Sequence, residues 1–264
     1  MTFGRINQHT LHYRDENPTA GRAVVFVNAL GTDLRIWDGV VDWLGRDLRL
    51  LRYDLRGHGL SDAPQGPYTI DDHTADLAAL LDARGIRDAL IVGLSVGGLI
   101  AQAIAARRTD LVGALILSDT APRIGAAALW SARMDAIRRS GIDAIADAIL
   151  ERWFPRAWRD RSPAELAGYR NMLVRMPVEG YLGTCATLRD TDLSETARTL
   201  RQPTLCLVGA DDEATPPALV QAMSEAIPGA SFEIVADAGH LPCIEQPQFI
   251  AARITAFAEE SISA

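Results

Sequence analysis

Short apolar runs rich in branched aliphatic residues recur at residues 23–27, 48–53, 89–92, 114–117, 204–208 and 232–235. Each has strand length and lacks the alternation of a half-solvated strand, so each is expected to be buried on both faces. Helix-period patterns fill the intervals at 36–44, 70–84, 96–107, 218–227 and 247–258. Strand–helix alternation of this kind predicts an α/β fold around a mostly parallel central sheet flanked by helices.

The alternation breaks once. Between residues 122 and 200 the strand signals stop and helical ones take over, at 126–139, 142–153, 163–175 and 179–189. Ser162-Pro163-Ala164-Glu165 reads as a helix start, with a capping serine, proline in the first turn and a reciprocal glutamate. The expected organisation is an α/β core in two parts, 1–121 and 201–264, with an all-helical lid, 122–200, inserted between them. The uncharged run 89–106 is long enough to imitate a membrane span, but Gly93, Ser95, Gly97, Gly98 and Gln102 interrupt it, and a buried strand, turn and helix fit better. Residues 1–10 lack the apolar core of a signal peptide.

Composition narrows the chemistry. All 26 basic residues are arginine. Without lysine the chain can build neither a phosphate-binding P-loop nor a Schiff-base centre. A net charge of −8 argues against nucleic acid as a partner. Cys185, Cys206 and Cys243 show no zinc or disulfide spacing, which fits a reducing, cytoplasmic setting. The 121–200 stretch carries 12 arginines and 10 acids, against 14 and 24 elsewhere, so positive charge is concentrated in the insertion. Trp130, Trp153 and Trp158 lie there too, as suits a cover over an apolar pocket that holds an anion.

The strongest chemical signal is Gly93-Leu94-Ser95-Val96-Gly97-Gly98, a G-x-S-x-G between a predicted strand and a predicted helix. A serine on such a turn sits in a strained backbone with small neighbours and an outward hydroxyl, backed by a helix N-terminus. Serine is a weak nucleophile and needs a base whose tautomer is fixed by an acid. Of five histidines, His9, His12 and His73 read as surface residues, and His58, in a tight glycine turn, as one that holds a loop together. His240 follows the last predicted strand, at the sheet edge where ligands bind, and is the expected base. Asp212, three residues beyond Gly209, is the favoured acid, with its neighbour Asp211 and Asp119, after the fourth predicted strand, as alternatives. Backbone N–H groups of Val96 and of Leu30, in the loop after the first predicted strand, are positioned to stabilise a tetrahedral oxyanion.

Taken together, these residues resemble the α/β-hydrolase superfamily over essentially the whole chain. The stretches 28–37, Arg56-Gly57-His58-Gly59, 93–99 and Ala214-Thr215-Pro216-Pro217 are similar to 3-oxoadipate enol-lactonases, as are the insertion segments Thr120-Ala121-Pro122-Arg123-Ile124-Gly125, Arg152-Trp153-Phe154 and Glu179-Gly180-Tyr181 followed by Cys185. Ala29 stands where that group would have serine, and Val96 where methionine is common beside the nucleophile; both bear on pocket shape and neither removes a catalytic atom. The resemblance implies a serine hydrolase that opens the ring of a carboxylate-bearing enol-lactone through an acyl-serine, with no cofactor and no metal. Arg133 and Arg123 are the candidate carboxylate ligands, and Trp130 the candidate apolar wall. Rival readings on the same fold are carbon–carbon bond hydrolysis of vinylogous ketoacids, broad carboxylesterase activity and a non-catalytic receptor. Dehalogenase and epoxide-hydrolase chemistry are disfavoured because both want a carboxylate where Ser95 stands.

Overall fold

The computed structural model describes residues 2–261. Its eight-stranded sheet comprises β1 (Thr2–Ile6), β2 (His9–Glu16), β3 (Ala23–Val27), β4 (Arg49–Tyr53), β5 (Ala89–Leu94), β6 (Val112–Ser118), β7 (Thr204–Gly209) and β8 (Ser231–Val235), in the order β1-β2-β4-β3-β5-β6-β7-β8. The strands from β4 to β8 pair in parallel, while β1 and β2 add an antiparallel ribbon on the β4 side.

Hydropathy does not signal that ribbon, because β1 and β2 carry polar residues at most positions. The opposite edge also departs from expectation: only Val235 of β8 is buried, so this strand is not covered on both faces. In contrast β3, β5 and β7 are buried throughout, as their unbroken apolar sequences require.

The core helices are α1 (Asp38–Val41), α2 (Ile70–Ala83), α3 (Val96–Arg107), α10 (Pro217–Ala226), α11 (Pro242–Glu245) and α12 (Pro247–Glu260). The first expected helix is instead a 3-10 turn, Leu34–Trp37, leading into the single turn of α1. Residues Val96 through Ala105 of α3 are all buried, which accounts for the uncharged run. A capping box closes the start of α2, where Thr69 accepts from Asp72 N–H and the Asp72 carboxylate accepts from Thr69 N–H.

Between β6 and β7 lie α4 (Ala127–Ser140), α5 (Asp143–Trp153), α6 (Arg156–Arg161), α7 (Pro163–Val174), α8 (Val178–Asp190) and α9 (Ser194–Thr199). The capping box expected at Ser162 does not form. Ser162 also ends α6, its ψ is 52°, and its side chain makes no capping bond to α7, although Pro163 takes the first position. Phe154 stacks on Trp158 at 4.1 Å with Tyr169 5.5 Å away, giving the insertion an aromatic cluster of its own.

The sheet positions the site through its winding. The chain builds β3 and β4 outward in one direction and β5 to β8 in the other, so the strand order reverses between β3 and β5. Loops leaving the carboxyl ends of these two neighbours diverge and leave a crevice between them.

Candidate active site

Ser95 follows β5 at that crevice with φ 57° and ψ −118°, a left-handed conformation that costs on the order of 1–3 kcal/mol for a residue with a side chain. Its surroundings over-determine it. Ser95 N–H donates to Ser118 O at 3.0 Å, and Thr120 Oγ1 donates to Ser95 O at 2.7 Å. The close approach of α3 to β3 is possible because Gly97 has no side chain: a Cβ there would collide with the carbonyl of Val27.

His240 lies in the loop between β8 and α11. Its Nδ1 hydrogen-bonds Asp212 Oδ2 at 2.9 Å, with both side chains buried. Asp212 also accepts from Ala214 N–H (2.7 Å), Thr215 N–H (3.1 Å) and Thr215 Oγ1 (2.6 Å). Burial opposes the Asp212 charge, but His240 and the Thr215 donors outweigh it and hold the carboxyl well below its usual range. Asp211 is exposed and makes no hydrogen bond to His240 among the described residues.

Asp119 is fully buried and accepts from Ser118 Oγ (2.6 Å) and Gly209 N–H (2.9 Å). Burial and then the Asp212 charge push its carboxyl well above the ordinary range. Asp119, Asp212 and His240 bring ligand-type atoms within 4.8 Å of one another, the one such grouping among the described residues. Its atoms are already engaged in the hydrogen bonds just described.

Ser95 and His240 line one cavity of about 100 Å³ between the core and the insertion. No hydrogen bond joins the serine hydroxyl to the imidazole among the described residues; unliganded sites are often loose in this way. Leu30 lines the same cavity, and neither Leu30 N–H nor Val96 N–H finds a protein acceptor among the described residues. His58 stabilises the Leu30 loop from beneath. Its Nε2 accepts from Gly31 N–H at 3.3 Å and its Nδ1 donates to Arg56 O at 3.0 Å, a pattern only the neutral ring can make; burial lowers its pKa to about 4.

Trp130, Trp153, Ile124, Ile149, Leu129 and Leu188 give the cavity apolar walls. Two arginines, Arg133 and Arg152, line it and no carboxylate does. The Arg133 guanidinium lies over the Trp130 ring at 4.8 Å, and Arg152 Nη2 reaches Glu213 O at 3.5 Å; neither arginine forms an ion pair among the described residues. Arg123 is not part of the site. It is exposed, its guanidinium pairs with Asp192 at 3.6 Å, and it is absent from the cavity wall. Trp158 packs inside the insertion instead of covering the cavity.

Two histidines read as surface residues are buried. His12, on β2, pairs through Nδ1 with Asp54 at 2.7 Å, and His73, on α2, has its pKa lowered by burial to about 3. His9 is half-buried. His12 and Asp54 line a larger cleft of about 520 Å³, but that cleft contains neither Ser95 nor His240, and the smaller cavity is the one lined by both candidate catalytic side chains.

Sequence reasoning missed Glu245. It is buried, and Oε2 accepts from Gly239 N–H, the amide next to His240, at 2.9 Å, while Oε1 has no partner. Burial raises its pKa to about 7. A glutamate five residues beyond the base was visible in the sequence, but its inward direction was not. Arg152 stands in one of the insertion segments that resemble the enol-lactonases, but nothing in the sequence marked its side chain as facing the cavity.

The fold has close counterparts. Residues 22–247 match the family model described as alpha/beta hydrolase fold. The chain is 34% identical over 226 residues to 3-oxoadipate enol-lactonase 2 of Acinetobacter baylyi, covering 86% of this chain and 84% of the relative. An enol-lactonase structure from Burkholderia xenovorans LB400 superposes with a TM-score of 0.93 at 37% identity, covering 98% of this chain and 100% of its own. A thermophilic esterase from Thermogutta terrifontis, solved with malate bound, gives 0.92 at 28% identity with 98% of both chains covered.

Proposed function

The chain belongs to the α/β-hydrolase family and is a carboxylic ester hydrolase, and from that premise we infer that it opens the ring of 3-oxoadipate enol-lactone to give 3-oxoadipate, a step in aromatic-compound breakdown. The observation that carries this reading is the cavity itself: about 100 Å³, apolar-walled, with Ser95 and His240 at one part of its lining and unpaired guanidinium groups at another. Its apolar walls suit a small ring and its charge suits one free carboxylate.

In this reading His240 takes the proton of Ser95 as Oγ attacks the lactone carbonyl. Asp212 holds the imidazole in the required tautomer and stabilises the imidazolium. The N–H groups of Leu30 and Val96 receive the oxyanion. Collapse of the tetrahedral intermediate breaks the ring C–O bond, and His240 returns its proton to the enol oxygen. The leaving enol stays tethered to the acyl chain, so the reverse attack is intramolecular and fast; conversion of enol to ketone removes that nucleophile. Water, activated by His240, then releases the dicarboxylate and restores Ser95. Arg133 holds the substrate carboxylate, Trp130 backs the ring, and the helical segment 122–200 acts as the lid.

The name of the Acinetobacter relative and the malate in the Thermogutta structure both support a carboxylate-bearing ligand. The test is steady-state turnover of authentic enol-lactone beside simple neutral esters and a vinylogous dienone-acid. The lactone is expected to have the highest kcat/KM, with Ser95→Ala reducing turnover to the level left by binding and the oxyanion donors alone. Cleavage of the dienone-acid with no lactone turnover would reject the assignment in favour of carbon–carbon hydrolysis.

A further inference from the structure

The cavity wall holds two guanidinium groups, whereas a monoanionic substrate needs one. Arg133 comes from α4 and Arg152 from α5, and both also line a shallow depression of about 240 Å³ shared with Ile145, Ala148 and Ile149. Arg133, Ile149 and Arg152 therefore line both the inner cavity and that depression. We propose that Arg133 and Arg152 form a cationic gate between α4 and α5, and that Arg152 selects small carboxylate-bearing esters and lactones as they enter. This rests on the reading of Ser95 as the nucleophile and extends it from the reaction to the route of access.

Three observations carry the gate. First, the protein is at −8, so its overall field repels a carboxylate, and only a local concentration of positive charge can reverse that. Second, neither guanidinium is neutralised by an ion pair, although most of the other arginines of the insertion, including Arg123, Arg138, Arg156, Arg159, Arg170 and Arg189, are paired. Third, the two arginines are held differently. Arg133 lies over the Trp130 ring, while the one side-chain hydrogen bond of Arg152 among the described residues is at 3.5 Å, to the carbonyl of Glu213 next to Asp212. A weakly held guanidinium can exchange that carbonyl for an incoming carboxylate at little cost, and a carboxylate is the stronger acceptor.

The test uses two vinyl esters whose acyl groups match in shape and differ in charge: monovinyl succinate and vinyl isocaproate. Wild type is expected to favour the succinate ester by about tenfold or more in kcat/KM, with the preference shrinking as salt rises. Arg152→Gln is expected to lower the ratio of the two kcat/KM values at least fivefold and flatten its salt dependence, with kcat for the succinate ester changed little. Arg152→Lys should restore most of the ratio. The gate is overturned if Arg152→Gln leaves the ratio unchanged, if both esters fall equally, or if the lysine variant is as poor as the glutamine one. Authentic lactone is assayed separately. No lactone turnover alongside Arg152-dependent charge selection would sink the lactone assignment and leave the gate, and the reverse pattern would do the opposite.

Discussion

His240 N–H donates to Trp153 O at 2.9 Å, so the imidazole loop hangs from the last residue of α5. The bond is packed tightly as well: a Cβ on Gly239 would stand 2.8 Å from Trp153 O and 2.7 Å from Pro155 Cδ.

Gly239→Ala is therefore expected to push the histidine loop away from the insertion. A displacement of about 1 Å at a reacting group can cost about 10²-fold, and a loss of that order is expected in kcat with the fold retained. Steady-state kinetics beside a thermal melt would check it; a variant with wild-type kcat would mean that the loop yields elsewhere.

The two buried acids should respond oppositely to the same amide substitution. Asp212→Asn removes the charge that stabilises the imidazolium and presents a donor to Nδ1, and is expected to lower kcat by about 10⁴-fold. Asp119 accepts from Ser118 Oγ and Gly209 N–H and makes no hydrogen bond to the imidazole among the described residues, so Asp119→Asn should stay within about tenfold of wild type. Equal damage from both would reassign the acid.

Glu245 gives a signed dependence of stability on pH. Its carboxyl titrates near 4.5 when unfolded and at about 7 when buried, so the folded protein holds the extra proton across that window. Stability from this group is present below pH 4.5 and is lost as pH rises through 7, by an amount on the order of a few kcal/mol. Glu245→Gln cannot ionise, so denaturant midpoints at pH 5 and pH 8 should show the variant gaining on wild type at the higher pH. A constant difference at the two pH values would contradict the burial of a titrating carboxyl here.

Arg133→Ala is expected to raise KM for the lactone by about 10-fold or more with a smaller change in kcat, because the distal carboxylate is held alike in ground and transition states. A change confined to kcat would remove the arginine from substrate binding.

How much of this was legible in the sequence follows from which signals are local. Strands β3, β5 and β7 announced themselves because burial on both faces leaves an unbroken apolar run. The β1–β2 ribbon did not, since an edge ribbon tolerates polar residues at most positions, and with it went the burial of His12. The helices α6 and α9, of six residues each, are too short for a period to emerge. Ser95 and His240 stood out as candidates because Ser95 follows a strand directly within a glycine-rich turn and His240 lies in the loop after the last strand, next to Gly239. The arginines were not separable: Arg123, Arg133 and Arg152 are chemically identical, and only tertiary packing turns one toward Asp192 and two toward the cavity.

The left-handed backbone at residue 95 has a consequence for how the protein can change. A residue without a side chain would sit there comfortably, so the substitution that relaxes the turn is the same one that deletes the candidate nucleophile. At this position robustness and reactivity pull in opposite directions, and any gain in thermal tolerance that preserves turnover has to be found elsewhere in the chain.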